Sequence, residues 1–172
     1  MDLITALAIS IGVLGGIATF VMLSPFGFGL HIWAAFIAWA TFYHCGGKEA
    51  GLTKAITHLI FGAIMAYIAL LLVTQIPLGG VLGVPLWAGI CVLITVFILV
   101  YAAKSPTLSD IPAGVLGYAA TAGLALAGNK LGAVTTTSLE NPFIIAVISL
   151  IVGAILGYIS EKVAGALVQK PA

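Results

Sequence analysis

Six long apolar runs, with almost every charge confined to the short gaps between them, restrict this chain to a helical membrane fold. Charged residues make up 6% of the 172 and hydrophobic ones 62%, with a mean hydropathy of +1.27. A water-soluble domain needs roughly a quarter of its residues charged. A bilayer core about 30 Å thick takes about 20 helical residues to cross, so a chain of this length supplies about six crossings and short connections. The runs are apolar on every side, whereas a barrel strand alternates apolar and polar residues. The expected fold is therefore a single all-α transmembrane domain over residues 1–172.

The predicted crossings are 3–23, 30–45, 55–76, 85–103, 109–128 and 141–163. Ser24-Pro25, Gly46-Gly47, Pro77 with Gly79-Gly80, Ser105-Pro106 and Gly128-Asn129 punctuate them. Pro85, Pro112 and Pro142 fall where a first helical turn tolerates proline, and Asp110 stands at a helix entrance, where an acid suits the positive helix end. The first run has no basic flank and no small-residue cleavage pattern after Leu23, so it is expected to be retained rather than removed as a signal peptide.

Lysine is the only strong cation, since the chain contains no arginine. With six crossings both termini share one side, and Lys48, Lys54, Lys104, Lys162 and Lys170 fall there too, leaving Lys130 opposite. The positive-inside rule makes that side the cytoplasm. Trp33, Trp87, Tyr43 and Tyr101 sit near run ends, as aromatic belt residues do. Cys45 and Cys91 are expected to remain unpaired in a reducing compartment.

An internal echo suggests how the runs are organised. Phe61-Gly62-Ala63-Ile64-Met65-Ala66-Tyr67-Ile68 in the third run matches Val152-Gly153-Ala154-Ile155-Leu156-Gly157-Tyr158-Ile159 in the sixth at Gly-Ala-Ile and Tyr-Ile. Gly46-Gly47-Lys48 and Gly128-Asn129-Lys130 echo more weakly. Three crossings per unit is an odd number, so repeats over 1–80 and 81–172 would traverse the membrane in opposite senses, as a 3+3 inverted repeat. Gly62 and Gly153 are then matched positions where small residues permit close helix approach, either for packing alone or beside a solute path.

The stretch Trp33-Ala34-Ala35-Phe36-Ile37-Ala38 through Phe42-Tyr43-His44-Cys45-Gly46-Gly47, with Gly51-Leu52 and Lys54, resembles the small, uncharacterised inner-membrane proteins typified by enterobacterial YcdZ. Pro112 to Gly117, Ala127-Gly128 and Gly153 to Tyr158 extend the likeness over nearly the whole chain, although His44 departs from it. The resemblance implies a multi-pass inner-membrane protein and supplies neither reaction nor substrate.

Lipid penalises an ionised group at mid-depth by at least about 2–3 kcal/mol, so polar groups inside the runs are the places to look for function. His44 and His58 flank the short connection between the second and third runs; with Asp110 they are candidates for a pH-sensitive gate, histidine titrating near neutrality. His44, His58 and Cys45 do not form a compact ligand motif, so no metal or other cofactor is expected. Thr41, Thr57, Thr95, Thr121 and Ser149 can bond to their own preceding helical turn. The chain has no Gly-x-Ser-x-Gly, HExxH or phosphate-cradling loop, and is not expected to be an enzyme. A net charge of +1 offers no surface for nucleic acid.

Three classes remain: a channel or facilitator for a small uncharged polar solute, a coupled secondary transporter, and a non-transporting membrane subunit that serves a partner. Coupling generally requires an ionisable group deep in the membrane, and the sequence places none there, which favours the facilitator. Phe36, Trp39, Tyr67, Tyr118 and Tyr158 are the candidates for its aromatic path; the competing reading packs them between helices or against lipid. The expected partners are the lipid bilayer, a small neutral solute and, through Gly12, Gly15 and Gly16, a further copy of the chain in a homo-oligomer.

Overall fold

The computed structural model describes residues 1–168; Lys170 and the C-terminus lie outside the described residues. Seven α-helices occur among them: α1 (Leu3–Leu23), α2 (Ile32–His44), α3 (Lys48–Gln75), α4 (Gly79–Leu82), α5 (Val84–Tyr101), α6 (Ile111–Ala127) and α7 (Pro142–Leu167). Four segments are long and apolar enough to cross a membrane, namely Leu3–Leu23, Lys48–Gln75, Val84–Lys104 and Pro142–Leu167, while Ile111–Ala127 is apolar but shorter. At 13 residues α2 covers only about 20 Å, well short of a bilayer core.

Local chemistry explains the boundaries. Asp2 caps α1, its Oδ1 accepting the Thr5 N–H at 3.0 Å and its Oδ2 the Thr5 hydroxyl at 2.7 Å. Ser24 stops α1 and starts a 3-10 turn at Pro25, which has no N–H to continue the ladder. Asp110 caps α6 through the Ala113 N–H at 3.2 Å, and Asn141 caps α7 through the Phe143 N–H at 2.9 Å. Gly46 and Gly47 take φ of 97° and 68° between α2 and α3, a left-handed path that side chains resist.

The third helix begins at Lys48, seven residues ahead of the predicted start at 55, and α7 runs to Leu167 rather than 163. Hydropathy marks where a helix meets lipid, not where it begins to coil. Glu49 and Ala50 are adequate helix formers, and Glu161 Oε2 accepts at 2.7 Å the N–H of Lys48, which itself takes φ of 57°, satisfying a donor left open at the helix start.

The contacts divide the chain into two compact units. One comprises Met1–Ile56 with the segment from Ser149 onward, the other Thr57–Ile148, so α3 and α7 each contribute to both. The first unit is built on Ala6, Ala18, Ala34, Ala35, Ala38, Trp39, Phe42, Ala154 and Ala164. The second is built on Leu59, Ala63, Ala66, Leu70, Cys91, Leu99, Ala113, Ala120, Leu124, Ala125, Ile145 and Ala146. Alanine-rich interiors let helix backbones approach closely, the packing expected where lipid rather than water is the solvent. The large side chains face outward instead: Ile4, Val13, Ile17 and Phe20 of α1, and Val84, Leu93, Phe97 and Ile98 of α5, are all exposed.

Candidate functional site

Within the first unit, α7 lies against α2 at Gly153. A Cβ added there would fall 2.6 Å from the Ala35 carbonyl carbon and inside the shell of its oxygen, so only glycine fits. One turn earlier on α7, the Ser149 hydroxyl oxygen accepts the His31 N–H at 3.1 Å, and His31 is the residue that opens α2. Within the second unit, α3 lies against α6 at Gly62, where a Cβ would fall 2.8 Å from the Gly114 carbonyl carbon and the Tyr118 nitrogen. One turn earlier on α3, His58 Nε2 accepts the N–H of Asp110 at 3.0 Å, and Asp110 opens α6.

These two arrangements match residue for residue. Ser149 and His58 each stand four positions before the matched glycine, and Ala35 and Gly114 each stand four after the residue that opens the helix. Ser24-Pro25 after α1 and Ser105-Pro106 after α5 both open three-residue 3-10 turns with proline first. The sequence marks both Ser-Pro pairs as helix breaks without matching one to the other, and it assigns the Ser149 hydroxyl to its own helix. The signal for both was the spacing to the Gly-Ala-Ile echo.

The candidate gate residues separate. His58 is 3% exposed and Asp110 9%, and they are bonded to one another. Because a backbone N–H can only donate, His58 Nε2 is the acceptor in this bond. His44 is the exposed last residue of α2. Among the described residues no three His, Cys, Asp or Glu side chains converge as metal ligands, and Cys45 and Cys91 form no disulfide.

The aromatic candidates are placed as follows. Phe36 stacks on Trp39 at 5.7 Å with planes 9° apart, and Trp39 Nε1 donates to Ser160 Oγ at 3.0 Å. Ser160 is the hub of a buried network: its Oγ is 2.7 Å from Tyr43 Oη and donates to the Gly157 carbonyl at 2.7 Å, while its own carbonyl accepts the Ser10 hydroxyl at 2.8 Å. Tyr158 Oη donates to Glu49 Oε1 at 2.7 Å, which also receives Lys162 Nζ at 2.8 Å. In the other unit Tyr67 stacks on Phe143 at 4.6 Å and donates to the Val134 carbonyl at 2.9 Å, and Tyr118 Oη lies 3.0 Å from Thr95 Oγ1. Tyr67 and Tyr158 thus each tie down a connection that follows a shorter helix, Tyr67 the one after α6 and Tyr158 the start of α3 after α2.

The second unit also contains a partly open cavity of about 180 Å³, with the exposed Val84, Val92 and Leu126 at its mouth. Ala66, Ala69, Val73, Ala88, Tyr118 and Ala122 are among its walls, which are almost wholly apolar.

Apolar helices with interiors of alanine and glycine define a helical, membrane-type protein. The chain belongs to the family described as "Protein of unknown function (DUF1097)", whose model matches residues 8–165. No curated protein and no solved structure matches it.

Proposed function

We propose that the protein is a membrane facilitator for a small uncharged solute, built from two inverted repeats of three crossings each. The observation that carries this reading is the duplicated junction: Gly62 at Gly114 with His58 on the Asp110 N–H, and Gly153 at Ala35 with Ser149 on the His31 N–H. Each third helix gives its glycine to the second helix of the opposite repeat. Repeats of odd span number that lie in opposite senses are a recurrent transporter architecture. In this reading α2 and α6 complete the six crossings. The lysine distribution supports cytoplasmic termini, and the likeness to the YcdZ type supports the inner membrane. The protein acts without enzymatic chemistry or a cofactor.

The hydroxyls of Tyr67, Tyr118 and Tyr158 are engaged with Val134, Thr95 and Glu49, so passage along them requires those bonds to exchange with the solute. The test is a stopped-flow permeability screen of proteoliposomes with urea, glycerol and acetamide. Flux above that of protein-free liposomes, lowered in Tyr158→Phe or Tyr118→Phe, supports the reading; permeability equal to the bare membrane for every solute refutes it.

A secondary transporter is the second reading, favoured by the buried pair of His58 and Asp110. Buried ionisable groups in membrane helices commonly serve proton relays. Flux that follows an imposed pH gradient, and loses that dependence in His58→Gln, selects it over the facilitator.

A further inference from the structure

The two units differ at one matched place, and the difference leaves room for a ligand. Counting from the residues that open α2 and α6, Trp39 corresponds to Tyr118 and Tyr43 to Ala122; counting from the two glycines, Ser160 corresponds to Ala69. Counting back from the Ser-Pro pair, Ser10 corresponds to Cys91. In the first unit Trp39, Tyr43, Ser10 and Ser160 close this place with a hydrogen-bonded plug. In the second, Ala122 and Ala69 replace the phenol ring and the serine that holds it. Both alanines, with Tyr118, line the cavity of about 180 Å³.

We propose that this cavity is a binding site for a small apolar molecule of single-ring size. Three observations fix the ligand class. The volume suits one ring, since an engineered apolar cavity of about 150 Å³ stays dry and takes up benzene. The matched place in the other unit holds an aromatic ring, that of Tyr43. The partner for that ring's hydroxyl is absent, because Ala69 stands in the place of Ser160, and Tyr118 Oη is already engaged with Thr95. A ring without a hydroxyl therefore enters at no hydrogen-bonding loss, whereas a phenol would lack the acceptor that Ser160 supplies and could donate only to a remaining lone pair of Tyr118 Oη. The site stands independently of the transport reading, because its test measures occupancy and not flux.

The experiment is ¹⁹F NMR of fluorobenzene titrated into the full chain in lipid nanodiscs, with empty nanodiscs defining the lipid-dissolved pool. The expected result is a separate resonance that saturates at one ligand per chain. It disappears in Ala122→Phe and persists in Ile94→Phe, which alters an exposed position of α5. Should Ala122→Phe fail to fold, Ala69→Leu fills the opposite wall and must also abolish the signal. In Ala69→Ser the restored hydroxyl is expected to raise affinity for 4-fluorophenol relative to fluorobenzene by roughly fivefold. Absence of a saturable signal in the wild type, or its survival in a folded cavity-filled variant, overturns the proposal. So does 4-fluorophenol preference unchanged by Ala69→Ser.

Discussion

Replacing Gly62 with alanine tests the junction between α3 and α6 directly. The new methyl would lie 2.8 Å from the Gly114 carbonyl carbon and from the Tyr118 nitrogen, and closer still to the Gly114 oxygen. These are backbone atoms of a helix and cannot swing aside, so the two helices must part by on the order of 1 Å. A gap of that size forfeits about a quarter to a half of each dispersion contact across it. Overpacking of this kind costs about 1–3 kcal/mol. One turn away, the 3.0 Å bond from the Asp110 N–H to His58 Nε2 would stretch, adding about 1 kcal/mol or more. Alanine returns up to about 1 kcal/mol through its better helix propensity. The net expectation is a loss of about 1–4 kcal/mol, measured by equilibrium unfolding in mixed detergent micelles. Gly153→Ala should behave alike, because its methyl meets the Ala35 backbone. Gly12→Ala is the internal control: nothing lies within 4 Å of its methyl, so it should be neutral or stabilising by up to about 1 kcal/mol. Equal stability of Gly62→Ala, Gly153→Ala and Gly12→Ala would refute the junction as a close backbone contact.

Ser149→Ala removes the acceptor of the part-buried His31 N–H and His58→Ala that of the buried Asp110 N–H; in the same unfolding assay the first should destabilise by about 1 kcal/mol and the second by about 1–3 kcal/mol. Cysteines introduced at Lys48 and Lys104 should react with an impermeant maleimide only from the cytoplasmic side, and one at Lys130 only from the other; labelling of Lys130 from the cytoplasm would break the six-crossing topology. Lys130 Nζ lies 2.6 Å from Glu140 Oε2, and this hydrogen bond and charge hold the Glu140 carboxyl below its ordinary value of 4.5. A depressed carboxylate stabilises the fold above its ordinary value and loses that contribution as pH falls through the lowered one. The difference in melting temperature between wild type and Glu140→Gln should therefore be present at neutral pH and vanish on acidification; a difference that grows on acidification would contradict the pairing.

The helices themselves were legible because lipid imposes a strong, local rule: long apolar runs broken at Ser-Pro and Gly-Gly. The Gly-Ala-Ile echo carried more, since it located both glycines later found against a neighbouring backbone. Helix starts were less legible. Hydropathy misses Lys48 to Lys54, which coil before they reach lipid, and nothing local announces that Glu161, more than a hundred residues away, satisfies the Lys48 N–H. The tyrosines illustrate the same limit: the matched Tyr67 and Tyr158 suggested a shared wall, and their hydroxyls reach Val134 and Glu49.

The amino-acid order alone pointed to an apolar solvent, a helical class and Gly62 and Gly153 as places of close helix approach, because those follow from hydropathy, backbone satisfaction and local spacing. Tertiary structure alone decided which helices meet, that His58 faces Asp110 while His44 is exposed, and that Tyr43 and Ser160 close a space which Ala122 and Ala69 leave open. Such pairings depend on residues brought from far along the chain to within a few ångströms, and no local pattern encodes that distance.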